Sequence, residues 1–162
     1  MISLKKGRKT PKTYNYTMIP QMVEQICSHM EEQQVTSGHG LACKYRRLTE
    51  NGTLRCAAGA VITGSGYDNE GQISVLLNHE HGVEADLAVA VCLSLAQRIH
   101  DKLYSLGDIW EEEHSDLLTE IGENLYNECA ADNDTKLTEV SGSYHYINIF
   151  VDQYAREYSF DL

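Results

Sequence analysis

Apolar residues recur at three- and four-residue spacing through Ile19, Met22, Val23, Ile26 and Met30, which predicts a helix over 18–34 with one apolar face. Thr17 and Pro20 mark its start, and the cluster Thr36-Ser37-Gly38-His39-Gly40 ends it. Residues 41–48 and 53–62 flank Asn51-Gly52, a dipeptide whose tolerance of left-handed backbone suits a tight antiparallel turn. These runs predict a hairpin pinned by Cys43, Tyr45, Cys56 and Ile62, with Cys43 and Cys56 diagonal on one face if a four-residue loop is centred there. Glycines 64, 66 and 71 then bracket a loop, and Ile73, Val75, Leu76 and Leu77 form a short apolar segment broken at His79-Glu80-His81-Gly82.

From Val83 onward the four-residue repeat of Leu87, Val91, Leu95, Ile99 and Leu103, widened by Ala88, Cys92 and Ala96, predicts the longest helix and the spine of the core. Gly107 closes it. Asp108 is placed to cap the next helix, with Glu111, Glu112 and Glu113 in its first turn and Leu117, Leu118, Ile121 and Leu125 on its buried face. Asn127 to Thr138 reads as a polar connection. Between Tyr144 and Tyr158, Ile147, Phe150, Val151, Tyr154 and Tyr158 fit a helix better than a strand. The fold class expected is α+β, mainly α: about four helices packed on a short antiparallel β-hairpin, as one globular domain over 17–162 behind a basic lead, 1–16.

Composition narrows the setting. A chain of 162 residues can bury roughly two thirds of its unfolded surface and needs no disulfide to fold. Its five cysteines are an odd number at irregular spacing, which fits reduced thiols. Met1 to Lys12 is basic and polar, unlike a secretory signal, and Leu87 to Ala96 is far short of a membrane span. The expectation is therefore a cytoplasmic protein with no membrane partner. The net charge of −11 is unevenly distributed. Residues 1–55 carry nine Lys/Arg against four Asp/Glu, whereas residues 56–162 carry four against twenty. Such a field repels a phosphate backbone and excludes general nucleic-acid binding by the C-terminal two thirds.

Cys43, Cys56, His39, His79 and His81 carry metal-ligating chemistry, yet no Cys-x₂₋₄-Cys knuckle brings two of them together, so no metal site is expected. His100-Asp101 near Cys92 has the residue types of a thiol nucleophile, its base and an orienting carboxylate. Adjacent helix positions diverge by roughly 100°, which argues against Asp101 orienting the ring, and Cys92 lies on the buried stripe. No catalytic set and no cofactor site is expected. The glycines around Gly59 to Gly71 match neither a Walker loop nor a dinucleotide fingerprint. Lys44, Arg46, Arg47 and Arg55 with Tyr45 could hold an anion, or pair with the chain's own acids. The acidic run from Glu111 to Asp116, with Asp108, Glu120 and Glu123, reads as a binding face or as a solvated helix.

The segments Cys43-Lys44-Tyr45-Arg46, Cys56-Ala57-Ala58-Gly59-Ala60-Val61-Ile62 and Tyr67-Asp68, followed by Gln97, His100, Asp101 and Trp110, resemble a group of short phage and bacterial proteins of unassigned function. That group shows Cys-x-Tyr-Arg, a turn, Cys-Ala-x-Gly-x-x-Ile, Tyr-Asp, and later Gln-x-x-His-Asp before a Trp. The likeness covers roughly 41–118 and departs at Thr63-Gly64, where the group has Pro-Asp, and at Asn69-Glu70-Gly71. It implies an origin in a phage or mobile element; together with the polarised charge and the lack of a catalytic set, the expectation is an accessory protein that acts by binding a host protein, such as an inhibitor of a host enzyme or defence factor. An alternative is a nucleotide- or other anion-binding protein or enzyme using the basic hairpin. A third reading is an oligomer joined through its aromatic C-terminal segment. The ligand-binding candidates are Tyr45, Arg46, Arg47, Arg55, Tyr67, Asp68 and His100; the partner-binding candidates are Asp108, Glu111, Glu112, Glu113, Asp116 and Glu120.

Overall fold

The computed structural model describes residues 12–33, 38–39, 42–43, 46–49, 52–55, 61, 83–131, 136–139 and 144–158. Among these the chain is mainly helical: α1 (Ile19–Gln33), α2 (Leu87–Leu106), α3 (Glu112–Ala130) and α4 (Tyr144–Glu157). Six short strands accompany them: β1 (Lys12–Tyr14), β2 (Gly38–His39), β3 (Ala42–Cys43), β4 (Arg46–Thr49), β5 (Gly52–Arg55) and β6 (Val83–Ala85). The segment Tyr144 to Tyr158 resolves as helix, and Ile147, Val151 and Tyr154 turn inward at the expected spacing.

α2 is the spine. Every residue of its expected stripe is buried, and Val89, Ala90 and Leu93 are buried as well, so its first turns are enclosed on all sides. A helix apolar all round belongs in the middle of a core. α3 and α4 both pack on it, and α1 packs on α3. α2 ends where sequence places the end, at Gly107. Its φ of +71° is open to glycine at little cost. The backbone N–H of Asp108 then reaches back to the Leu103 carbonyl at 2.9 Å, closing the last turn.

The sheet tied to these helices differs from expectation. It is parallel, not antiparallel: β1 pairs with β6, setting Lys12 against Val83, Thr13 against Glu84 and Tyr14 against Ala85. Residues 12–14, assigned by sequence to the basic lead, thus form an inner element whose Tyr14 is buried in the core. Val83, expected to begin the long helix, lies in β6, and the helix begins four residues later.

The junction is made by Asp86. One carboxylate oxygen, Oδ1, accepts the Val89 N–H at 3.0 Å as an N-cap, and Oδ2 accepts the Tyr16 N–H at 2.7 Å. Its own N–H donates to the Tyr14 carbonyl at 3.1 Å. One side chain therefore fastens the start of α2 to the turn between β1 and α1. Burial pushes its carboxyl above the ordinary range, while the two backbone donors pull the other way.

An antiparallel hairpin does form around the Asn51-Gly52 region, with Arg46 opposite Arg55 and Thr49 opposite Gly52. Within the strand expected over 41–48, the described residues are Ala42–Cys43 and Arg46–Thr49, both extended. Ala42–Cys43 pairs with Gly38–His39, and Cys56, expected diagonal to Cys43, lies outside the described residues. The connection expected over 127–138 is shorter and less polar than its composition suggests. α3 runs to Ala130, Cys129 is buried, and Leu137 in the 3-10 turn Lys136–Thr138 is fully buried.

Candidate functional site

Two features of α1 and α3 build an acidic surface. Their inner faces are apolar: Ile19, Val23 and Ile26 meet Leu118, Ile121 and Leu125 in the core. At the crossing stands Gly122. A Cβ there would lie 2.8 Å from Cγ2 of Val23 and 3.3 Å from Cγ2 of Ile19, so the missing side chain is what lets the helices approach. Farther along, the Cys27 thiol points at the Ser115 carbonyl, 3.7 Å away.

Their exposed positions are rich in acids, set among neutral polar residues, and Glu128 accepts the Tyr154 hydroxyl. Glu24, Glu31 and Glu32 of α1 and Glu112, Glu113, Asp116, Glu120, Glu123 and Glu128 of α3 are all exposed, and neither helix contains Lys or Arg. Glu112 and Glu113 lie in the first turn of α3, where the helix dipole favours anions. Among the described residues, Arg98 pairs with Asp152, and the rings of His100 and His114 lie beside Asp101 and Glu113. This surface is therefore not neutralised by cations of its own helices.

Sequence assigns the α3 cap to Asp108, but the residue in place is Glu111. Its backbone carbonyl accepts the His114 N–H at 3.0 Å, and its own N–H donates to Nδ1 of His114 at 2.9 Å. Trp110 is tied in beside it, its ring 6.0 Å from that of His114 and its Nε1–H donating to Ser115 Oγ at 2.8 Å. Asp108, Glu111, Glu112, Glu113, Asp116 and Glu120 all belong to this end of the molecule and are exposed.

His100 is 1% exposed, on the inner side of α2. Contrary to the expectation from helical divergence, Asp101 does reach it: Nδ1 of His100 and Oδ1 of Asp101 are 2.9 Å apart. The 100° step separates Cα–Cβ directions, whereas the carboxylate bends back along the rim of the helix to meet the ring edge. Gln97, one turn earlier, steadies it by donating from Nε2 to the same oxygen at 2.9 Å. Cys92 stays apart from this group, roughly 12 Å earlier along the axis at 1.5 Å per residue.

The thiols are poor nucleophiles. Burial pushes Cys92 up to about 12 and Cys129 up to about 11 and also raises Cys27. A thiol reagent at pH 8 should therefore leave Cys92 unmodified in the folded chain and modify it after denaturation, as read by peptide mass; rapid native labelling would contradict this burial.

The basic candidates sit elsewhere. Arg46, Arg47 and Arg55 lie on β4 and β5, and the register places Arg46 directly opposite Arg55 with Arg47 at the alternate position, facing Leu54 in the ladder. Tyr45, Tyr67 and Asp68 fall outside the described residues, as do Cys56, His79 and His81 of the metal-ligating residue types. Among the described residues no three His, Cys, Asp or Glu side chains come together to hold a metal ion, and no helix is long and apolar enough to cross a membrane. Sequence reasoning missed Asp86 and His114, for which the signals were an Asp at the head of the apolar run and a His three residues after Glu111. Comparison of the chain with protein-family models, curated proteins and solved structures finds no match.

Proposed function

We propose that this chain works by binding, and that the outer face of the α1–α3 pair meets a basic surface on a partner protein. The observation that carries this reading is the nine exposed carboxylates on two adjoining helices that contain no Lys or Arg. A field of one sign steers a partner of the other and raises the rate of encounter. The setting implied by the sequence resemblance is a phage or mobile element, and the partner proposed on the charge is a host enzyme or defence factor inhibited in the host cytoplasm. Replacing Glu112, Glu113, Asp116 and Glu120 together with Lys should abolish capture of the partner from host extract. Capture by the native chain should weaken as salt rises, because ions screen exposed charges beyond ~10 Å at 0.1 M. Undiminished capture by the four-Lys variant would reject the acidic face as the binding surface.

A second reading rests on the hairpin. The register sets Arg46 opposite Arg55, so two cationic residues share one place on the hairpin, the residue type that grips anions. On this reading the chain binds a nucleotide or similar small anion, and melting temperature rises with the concentration of that ligand. Replacing Arg46 and Arg47 with Glu should remove this stabilisation and leave acidic-face binding intact. Equal loss of both activities would reject the separation of the two surfaces.

A further inference from the structure

The cap of α3 is built with a titratable residue in a place usually filled by a non-basic one. In a capping box the side chain three residues into the helix accepts the N–H of the N-cap residue, and Glu or Gln commonly fills that position. Here His114 fills it. Because the Glu111 backbone N–H is the donor, Nδ1 of His114 must be the acceptor and carries no proton in this arrangement. The remaining ring proton is on Nε2, which lies 3.8 Å from Oε1 of Glu113. An imidazolium has a proton on both nitrogens and accepts nothing. Protonation therefore turns the cap bond into a contact between two donors.

We infer that protonation of His114 opens the cap of α3 and frees Trp110, making this end of the helix a pH-responsive element. The charged groups around the ring define the balance. Glu111 and Glu113 flank it on its own segment, with Asp116 farther along α3 and Glu31 of α1 on the far side of Cys27. The carboxylates draw an imidazolium away from the backbone and toward the solvent side, where Glu113 can pair with it, while the positive end of the helix dipole pushes it from its seat. Trp110 follows, since its ring lies beside His114 and its indole N–H is held by Ser115 in the first turn of the helix.

Trp110 is the single tryptophan of the chain, so its emission reports on this place alone. The full chain and H114Q are titrated from pH 8 to pH 5, the range in which histidines change charge, and the Glu111 amide is followed by two-dimensional NMR in the wild type. The result expected is a red shift of Trp110 emission in the wild type that is lost in H114Q, with the Glu111 amide resonance moving at the same midpoint. At pH 5 the Glu111 amide should exchange roughly fivefold faster in the wild type than in H114Q, the ratio for loss of a cap worth ~1 kcal/mol. An identical emission step in H114Q overturns the inference. So does a Glu111 amide that stays fixed while emission changes, because the effect would then be quenching by a nearby imidazolium with the cap intact. The wild-type amide decides the matter even if H114Q folds poorly.

Discussion

Replacing Gly122 with leucine should lower the stability of the chain by about 3 kcal/mol, the upper part of the usual range for overpacking a close-fitted interior. The reason is the crossing of α1 and α3, where even a Cβ would stand 2.8 Å from Cγ2 of Val23. Alanine is the informative intermediate. It gains about 1 kcal/mol from better helix propensity but forces Val23 aside, so Gly122→Ala should be destabilising by a smaller amount. Trimming Val23 to alanine removes the obstructing methyl, and the double variant should be more stable than the sum of the single changes by roughly 1 kcal/mol. Denaturant unfolding of the four proteins measures this coupling. Strict additivity would mean that the two helices are not held at the separation described.

The second large effect should come from Asp86→Ala, with a loss of about 2–4 kcal/mol. Removing an N-cap costs ~1 kcal/mol, and leaving the Tyr16 N–H without its acceptor costs a further ~1–3 kcal/mol. Asparagine should fall between the two, because its one carbonyl oxygen can serve either Val89 or Tyr16 while its NH₂ group opposes the other N–H. The pH dependence of the wild type relative to Asp86→Asn has a definite sign. A carboxyl raised by burial contributes stability that is fully present below its ordinary value and is lost as pH rises through the raised folded value. The advantage of the wild type over asparagine should therefore grow as pH falls from 7 toward 4. Urea unfolding at several pH values tests this, and an advantage that shrinks over that interval would contradict the buried placement of the carboxylate.

These two residues also show what a sequence reveals and what it hides. The helices were legible because burial repeats with their own period: Leu87, Val91, Leu95, Ile99 and Leu103 announce an inward stripe without reference to the rest of the chain. Gly107 was legible for the same reason, as a local punctuation mark. The parallel pairing of Lys12–Tyr14 with Val83–Ala85 was not, since three-residue strands carry little pattern and their partners lie some seventy residues apart. Asp86 looked like one acid among twenty-four until its two backbone donors were brought to it by that pairing. Within the candidate surface, the acids of the α3 start were evident from composition. Their union with the acids of α1 depended on which helix packs on which, information held in the crossing at Gly122. His114 was overlooked because a cap made by imidazole has no common sequence signature, and Asp108 met the usual rule for a cap while the chain used Glu111.

The partnership of α1 with α3 bears on how the chain emerges during synthesis. α1 is complete at Gln33, but α3 is complete only at Ala130, roughly a hundred residues later. At translation rates of ~5–20 residues per second, the delay is on the order of 5–20 s. For that time Ile19, Val23 and Ile26 have no opposing helix, so the nascent chain presents an oily stripe to its surroundings. Slower translation over the second half would prolong the risk of clumping, and a chaperone that shields short amphipathic helices would raise the yield of soluble product.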